Sequence, residues 1–439
     1  MPTDHRREIL RLAIPAFLAL VAEPLFLLAD SAIVGYLGTE SLAGLGVASA
    51  VLLTATNIFV FLAYGTTAAV SRRLGAGDQR GALSTGVDGV WLALILGAVA
   101  TVVVIAWAPG LVGLFGAGPG ARDEAVTYLR ISAVGIPPML VVLAATGVLR
   151  GLQDTRTPLV AAVAGFGTNA VLSFLLVHPV GLGIAGAAWG SVIAQSGMAI
   201  GLCAVLVTGA RRLGAPLSLH PGGVLRAALD GIPLLIRTLA LRAALLVTTW
   251  YAAGLGDAEL AAHQVAMTVW SALAFALDAL AIAGQALTGK ALGAGDAAGT
   301  RQVMATMIRW GIWFGVVLGA VIVAGHRIIP LGFSTDPRVH AALAAALIVV
   351  ACGQPVAAVA FVLDGVLIGA GDTRWLALAQ TVCLIGYLPM MGVLVWLDLV
   401  GIRGLVGLWI AFTGFMALRA ALLWWRSRSD VWMVVGAVR

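Results

Sequence analysis

LAIPAFLALVAEPLFLLADSAIV, residues 12–34, holds two charged side chains, Glu23 and Asp30, in an otherwise apolar run. A bilayer core about 30 Å thick is crossed by a helix of roughly 20 mostly apolar residues. The stretch therefore reads as a membrane-spanning helix, broken in register by Pro15 and Pro24 and carrying two acids where lipid would be expected. Five more such stretches follow, at 43–70, 86–108, 125–149, 158–177 and 184–208. Six others lie at 230–252, 260–288, 303–324, 341–367, 375–397 and 404–425, separated by loops with Gly, Pro, Asp or Arg. The fold class expected is all-α and integral to the membrane, with about twelve transmembrane helices.

Composition supports this. The 439 residues are 61% hydrophobic and 10% charged, against about 25% charged in soluble domains. So few charges cannot clothe a water-facing surface, so most of the exterior faces lipid. Lys and Arg number 26 against 20 Asp and Glu, a net charge of +6. In a soluble chain that excess would point to nucleic acid. Here it is nearly all arginine, in short segments between apolar runs, which is the positive-inside bias and excludes a nucleic-acid groove. Arg6, Arg7 and Arg11 precede the first span, and most other arginines follow the even-numbered spans. A multi-pass inner-membrane protein with both termini cytoplasmic is expected. The polar start, Met1 to Glu8, runs straight into a long apolar span and does not read as a removable signal peptide.

A repeat in constant register organises the chain. Adding 218 carries Ile14-Pro15 onto Ile232-Pro233, and Leu74-Gly75-Ala76-Gly77-Asp78 onto Leu292-Gly293-Ala294-Gly295-Asp296. The same shift carries Gly151, Asp154, Thr155 and Arg156 onto Gly369, Asp372, Thr373 and Arg374, and Gly183 and Gly186 onto Gly401 and Gly404. The chain reads as a tandem duplication, an N-terminal six-helix lobe over 1–215 and a C-terminal one over 216–439. Six is even, so both copies enter the membrane in the same sense, as in parallel-repeat transporters.

Motifs for soluble chemistry fail on inspection. The two LGAGD segments read as tight turns whose Asp caps the next helix. Gly289-Lys290 is followed by Ala291, where a phosphate-binding loop needs Ser or Thr. Gly181, Gly183 and Gly186 fit a dinucleotide fingerprint without a strand before them. Cys203, Cys352 and Cys383 lie in apolar runs, and the six histidines have no metal-ligand spacing. No ATP, nicotinamide, metal or other cofactor is expected, nor an enzyme, since no His/Asp/Glu cluster gathers at one membrane face.

The informative residues are ionisable groups within spans, each costing roughly 2.5–3.5 kcal/mol at the bilayer centre on insertion scales. Asp30 has no basic residue one turn away, and a low-dielectric setting then favours its neutral form. It reads as a carboxylate that takes and releases a proton, or holds Na⁺. Glu23, seven residues earlier, shares its face. Pro15 and Pro24 free backbone carbonyls and make that helix a hinge. Asn169 and Ser173, spaced i,i+4, complete the candidate cation or proton site. In the second half Asp278 and Gln285 share a face, and Asp364 and Arg237 are candidates for a polar cavity wall that binds solute. A structural reading pairs Asp278 with Arg237 instead.

Residues 24–38, PLFLLADSAIVGYLG, resemble the first helix of the multidrug and toxic compound extrusion (MATE) family, in its DinF-like branch. Ala261-Ala262-His263-Gln264, Phe275-Ala276-Leu277-Asp278-Ala279-Leu280 and Leu363-Asp364-Gly365 extend the resemblance, as does the paired six-helix layout. It implies two six-helix lobes, H⁺- or Na⁺-coupled efflux, and Asp30 as the first-helix cation carboxylate. It also implies Asn and Asp at i,i+4 in the fifth helix. Asn169 matches, whereas Ser173 stands in place of the acid, which tilts the expectation from Na⁺ to H⁺. The resulting expectation is a cation-coupled antiporter exporting small cationic or amphipathic molecules by alternating access, with the bilayer and its solute as partners and no obligate protein partner. The alternative is a lipid-linked precursor flippase of related architecture, for which Arg237 and Arg242 speak.

Overall fold

The computed structural model describes residues 2–116 and 118–438, with the side chains of residues 2–6, 23 and 26–29 outside the description. Every regular element among them is helical. The first copy contains α1 (Pro2–Gly35), α2 (Thr39–Phe59), α3 (Phe61–Gly75), α4 (Gln79–Gly113), α5 (Pro119–Ala133), α6 (Ile136–Gly151), α7 (Arg156–Val177) and α8 (Gly183–Arg212). The second contains α9 (Pro221–Ala253), α10 (Asp257–Gly293), α11 (Ala297–Gly325), α12 (Pro337–Gly369), α13 (Thr373–Trp396) and α14 (Gly401–Arg428).

Ten helical segments of the described residues are long and apolar enough to cross a membrane, α2 and α3 counting as one, and the pair α5 and α6, bent by 52°, makes an eleventh. The 34-residue α1 carries the span with which the sequence opens. All twelve spans read from the sequence thus lie on helices.

Helix boundaries repeat the register of 218. The stretch Thr39–Gly75 becomes Asp257–Gly293, and 119–151 becomes Pro337–Gly369. The turns repeat as well. Asp78 accepts from Gly81 N at 2.8 Å and Asp296 from Gly299 N at 2.7 Å, each capping the helix that follows. Gly77 and Gly295 supply the left-handed turn residue, φ +78° and +77°, that a side chain would disfavour.

The chain divides into two compact units, Leu10–Gly231 and Ile232–Ala437, the latter together with Met1–Ile9. In the second unit, α10, α12, α13 and α14 enclose a core that includes Trp270, Tyr387, Trp409, Phe412 and Phe415. Close helix approach relies on small residues. A Cβ at Gly365 or Gly369 of α12 would land on the carbonyl oxygens of Ala281 or Gln285 in α10. Their repeat partners Gly147 and Gly151 face Ala63 and Thr67 in the same way. This is the small-xxx-small packing of membrane helices.

Candidate coupling site

In the first unit α1 brings Asp30 against Tyr128 of α5 and Ser173 of α7. Asp30 is 3% exposed and accepts a hydrogen bond from the Tyr128 hydroxyl at 3.3 Å. Ser173 lies beside the same carboxyl. The Ser173 hydroxyl donates to Asn169 Oδ1 at 2.8 Å, and Asn169 Nδ2 donates to Ser191 Oγ at 3.0 Å. Ser191 in turn lies beside Tyr128. Five buried side chains therefore form a polar ring, from Asp30 through Tyr128, Ser191, Asn169 and Ser173 back to Asp30.

The direction of these bonds matters. A hydroxyl has one proton to give. Ser173 gives its proton to Asn169, so toward Asp30 it can only accept. Asp30 Oδ1 has no hydrogen-bond partner among the described residues. A proton on that oxygen would let Asp30 donate to Ser173 and close the ring, every member giving one bond and taking one. Without it, the Tyr128 bond is the one hydrogen bond the carboxylate accepts in this arrangement among the described residues. No guanidinium or ammonium group pairs with Asp30 among the described residues.

Of the residues singled out from the sequence, Asp30, Asn169 and Ser173 come together. Glu23 lies outside the described residues as regards its side chain. Pro15 and Pro24 both fall within α1, which runs unbroken through them. Tyr128 and Ser191 were not singled out. Tyr128 lies in the amphipathic α5 among Arg122, Asp123, Glu124 and Arg130, and Ser191 in a run of small residues that reads as packing.

The second unit holds a different cluster. Arg237 of α9 donates through Nε to Asp364 Oδ1 at 2.9 Å, and through Nη2 to Asp364 Oδ2. Arg419 of α14, overlooked in the sequence, places Nη2 3.0 Å from Asp364 Oδ1, and its guanidinium lies 5.6 Å from the centre of the Phe361 ring. Asp364 is thus an acid that holds Arg237, a bond that joins two of the candidates for the polar cavity wall. Asp278 and Gln285 both lie on α10, the first half-buried and the second buried.

The register of 218 shows how far the copies have diverged. Asp30 corresponds to Thr248, Asn169 to Tyr387, Ser173 to Met391 and Ser191 to Trp409. Conversely Arg237, Asp364 and Arg419 correspond to Ala19, Thr146 and Gly201. One copy carries a lone acid in a neutral ring, the other guanidiniums around a shared acid.

A duplicated bundle of membrane helices with an acid buried in one half is an architecture that membrane transporters use. The MatE family pattern matches residues 15–175 and 233–391. DETOXIFICATION 44, chloroplastic, of Arabidopsis thaliana is 32% identical, over 98% of this chain and 84% of that protein. DNA damage-inducible protein F of Escherichia coli (strain K12) is 29% identical over 98% and 94%. A crystal structure of MATE in the bent conformation superposes with a TM-score of 0.89 at 23% identity, covering 98% of this chain and 96% of that one. The chain belongs to the multidrug and toxic compound extrusion family.

Proposed function

We propose that the protein is a proton-coupled secondary antiporter that exports small amphipathic or cationic molecules across the inner membrane, with both termini cytoplasmic. The observation that carries proton coupling is the commitment of the Ser173 proton to Asn169. It leaves Asp30 a partner that can only accept, and so a site completed by a proton. A Na⁺ would need several oxygen ligands turned toward it at once, whereas in this ring Asn169 Oδ1 and Asp30 Oδ2 are each already engaged by a hydroxyl donor.

In this reading the outward-open form takes up a proton at Asp30, closing the ring. The inward-open form loses it, and Ser173 must then turn from Asn169 toward the carboxylate. The swap rearranges the contacts between α1 and α7, and the prolines of α1 give that helix a place to bend. A MATE relative has been solved in both bent and straight conformations. Glu23, on the same face by spacing, serves as a second acid in the relay. The proton is cargo, and no resident cofactor or protein partner takes part. Similarity along the whole chain to MATE proteins, and the engagement of Arg237 by Asp364, weigh against the flippase alternative.

The decisive experiment is flux in proteoliposomes. Export of a fluorescent amphipathic cation should move protons inward without requiring Na⁺, and Asp30→Asn should uncouple it. Transport that persists with an inward Na⁺ gradient alone, at constant pH on both sides, would reverse the assignment.

A further inference from the structure

We propose that the groove between the end of α4 and the exposed face of α5 binds the phosphate of an anionic phospholipid, held by the guanidiniums of Arg122 and Arg130. A cavity of about 600 Å³ opens there, lined by Pro109 of α4 and by Arg122, Asp123, Thr127 and Arg130 of α5. Arg122 and Arg130 lie two turns apart on one helical face, with Thr127 between them. Neither arginine, nor Asp123, is in an ion pair among the described residues. Arg122 Nη2 makes one long hydrogen bond, to Pro109 O at 3.5 Å.

Membrane depth gives these cations their meaning. The span read from the sequence over 125–149 includes Arg130, and Pro109 stands just past the span over 86–108. Trp107, near the same end of α4, is 67% exposed, and tryptophan so placed marks the headgroup level of a bilayer. A helical side chain leans toward the N-terminus of its helix, so Arg130 reaches back toward Arg122 and that level, its stem along apolar surface. The repeat supplies the contrast. Arg122, Asp123, Thr127 and Arg130 correspond to His340, Ala341, Ala345 and Ile348, and Ile348 is 42% exposed. The same helical face is mainly apolar in α12 and carries two cations in α5.

An exposed guanidinium at a membrane span is costly until an anion meets it, and its planar fork matches phosphate oxygens in two-point contact. The neighbouring wall favours a phosphate that carries acyl chains over a free one. Ile105 and Val102, one and two turns before Pro109 on the same face of α4, are exposed apolar side chains. They form a bed for hydrocarbon directly below the headgroup. Two arginines outnumber the single Asp123, so a headgroup of net negative charge suits the groove, whereas a zwitterionic one would bring a cation against the guanidiniums. The site is independent of the ion exchanged at Asp30.

The test uses the full-length protein in detergent, titrated with phosphatidylglycerol and followed by native mass spectrometry, with phosphatidylcholine and inorganic phosphate as separate arms. Wild type should retain one phosphatidylglycerol more than the double variant Arg122→Gln/Arg130→Gln. Arg130→Gln alone should weaken that site about 10- to 100-fold, the worth of a hydrogen bond to a charged group. Arg130→Lys keeps the charge but loses the fork and should fall between; it also serves should the double variant fail to fold. Asp123→Asn should tighten the site, and Arg211→Gln/Arg212→Gln, at the far end of α8, should leave it unchanged. Equal lipid stoichiometry and affinity in wild type and double variant would overturn the site. Phosphatidylcholine held as tightly, or displacement of the lipid by millimolar inorganic phosphate, would overturn its assignment to an anionic lipid.

Discussion

Asp30 and Thr248 occupy the same position in the two repeats, and each is bonded to a tyrosine drawn from a different helix of its own unit. Tyr128 of α5 donates to Asp30, whereas Tyr387 of α13 stands 2.9 Å from the Thr248 hydroxyl. Thr248 already gives its proton to Ala244 O at 2.7 Å, so Tyr387 is the donor in that pair. The duplicated position has thus kept a tyrosine bond while losing the ionisable group. On the proposed proton-coupled reading, one copy carries the exchanging group and the other has a neutral hydroxyl in its place.

Thr248→Val should therefore leave proton coupling intact. It removes the acceptor of a buried tyrosine, costing about 1–3 kcal/mol, visible as a lower unfolding temperature. Asp30→Asn should do the reverse, with a stable fold and no substrate-driven proton movement. Stopped-flow proton release with a pH dye on both variants separates the cases. Loss of proton release in Thr248→Val would mean that the second copy still takes part.

The Tyr128 hydroxyl belongs to the ring and not to general packing. Tyr128→Phe keeps the ring volume but deletes one donor to Asp30 and one link to Ser191, while Ser191→Ala deletes a different link in the same circuit. If the ring acts as a unit, the double variant should lose little more exchange rate than the worse single one, and a coupling energy of about 0.5–3 kcal/mol should appear in the cycle. Additive losses would show two independent contacts.

What the sequence disclosed and what it hid follow from the range of each signal. The spans were legible because a bilayer demands some twenty apolar residues in succession, and the duplication because turns recur at one offset. Asp30 stood out because an unpaired acid in an apolar run is costly wherever its neighbours lie. Asn169 and Ser173 were visible as an i,i+4 pair within one helix. Tyr128 and Ser191 were not, since their meaning lies in contacts made across α5 and α8, and each looks ordinary beside its own neighbours. Arg419 sits nine residues before the basic end of α14, at Arg428, and merged with that positive terminus. The partner of Arg237 needed the packing of three helices.

The two ion pairs of Asp364 and Asp372 should differ in worth. Arg237 and Asp364 are both buried, whereas Arg426, which holds Asp372 at 2.7 Å, retains 18% side-chain exposure. Deleting one member of a buried pair strands the other and costs roughly 3–5 kcal/mol; a partly solvated pair contributes about 1 kcal/mol. Asp364→Asn should accordingly lower the unfolding temperature several times more than Arg426→Gln in the same detergent. Equal shifts would show that water reaches Asp364.

The α10–α12 seam should tolerate no side chain. Gly365 approaches Ala281 O so closely that a Cβ has no room, and the obstacle is backbone, which cannot swing aside as a side-chain tip can. Gly365→Val should abolish monodisperse folded protein. Gly284, whose Cβ would meet only Met307 Cε and Val366 Cγ2 at 3.5 and 3.6 Å, lies on the same helix as Ala281, and Gly284→Ala should be nearly neutral. Size-exclusion profiles of the two variants check the contrast.

Ser173 is the position at which the ion itself should be open to change. The family resemblance expects an acid there, and the residue present instead is a hydroxyl that orients Asn169. Ser173→Asp would set a second carboxylate beside Asp30, with the Asn169 oxygen freed from its present donor. Three oxygen-bearing groups with two negative charges would then converge where one charge stands now. Two unneutralised carboxylates so close repel each other, and a cation relieves that repulsion in a way the wild-type ring does not require. The variant should gain thermal stability from Na⁺ over K⁺ at fixed ionic strength, with little such difference in wild type, and its transport should respond to a Na⁺ gradient. A variant indifferent to Na⁺ would show that the site is too narrow for a metal ion, which would strengthen the case for a proton. An equal Na⁺ response in the wild-type protein would instead remove Ser173 as the residue that sets the ion.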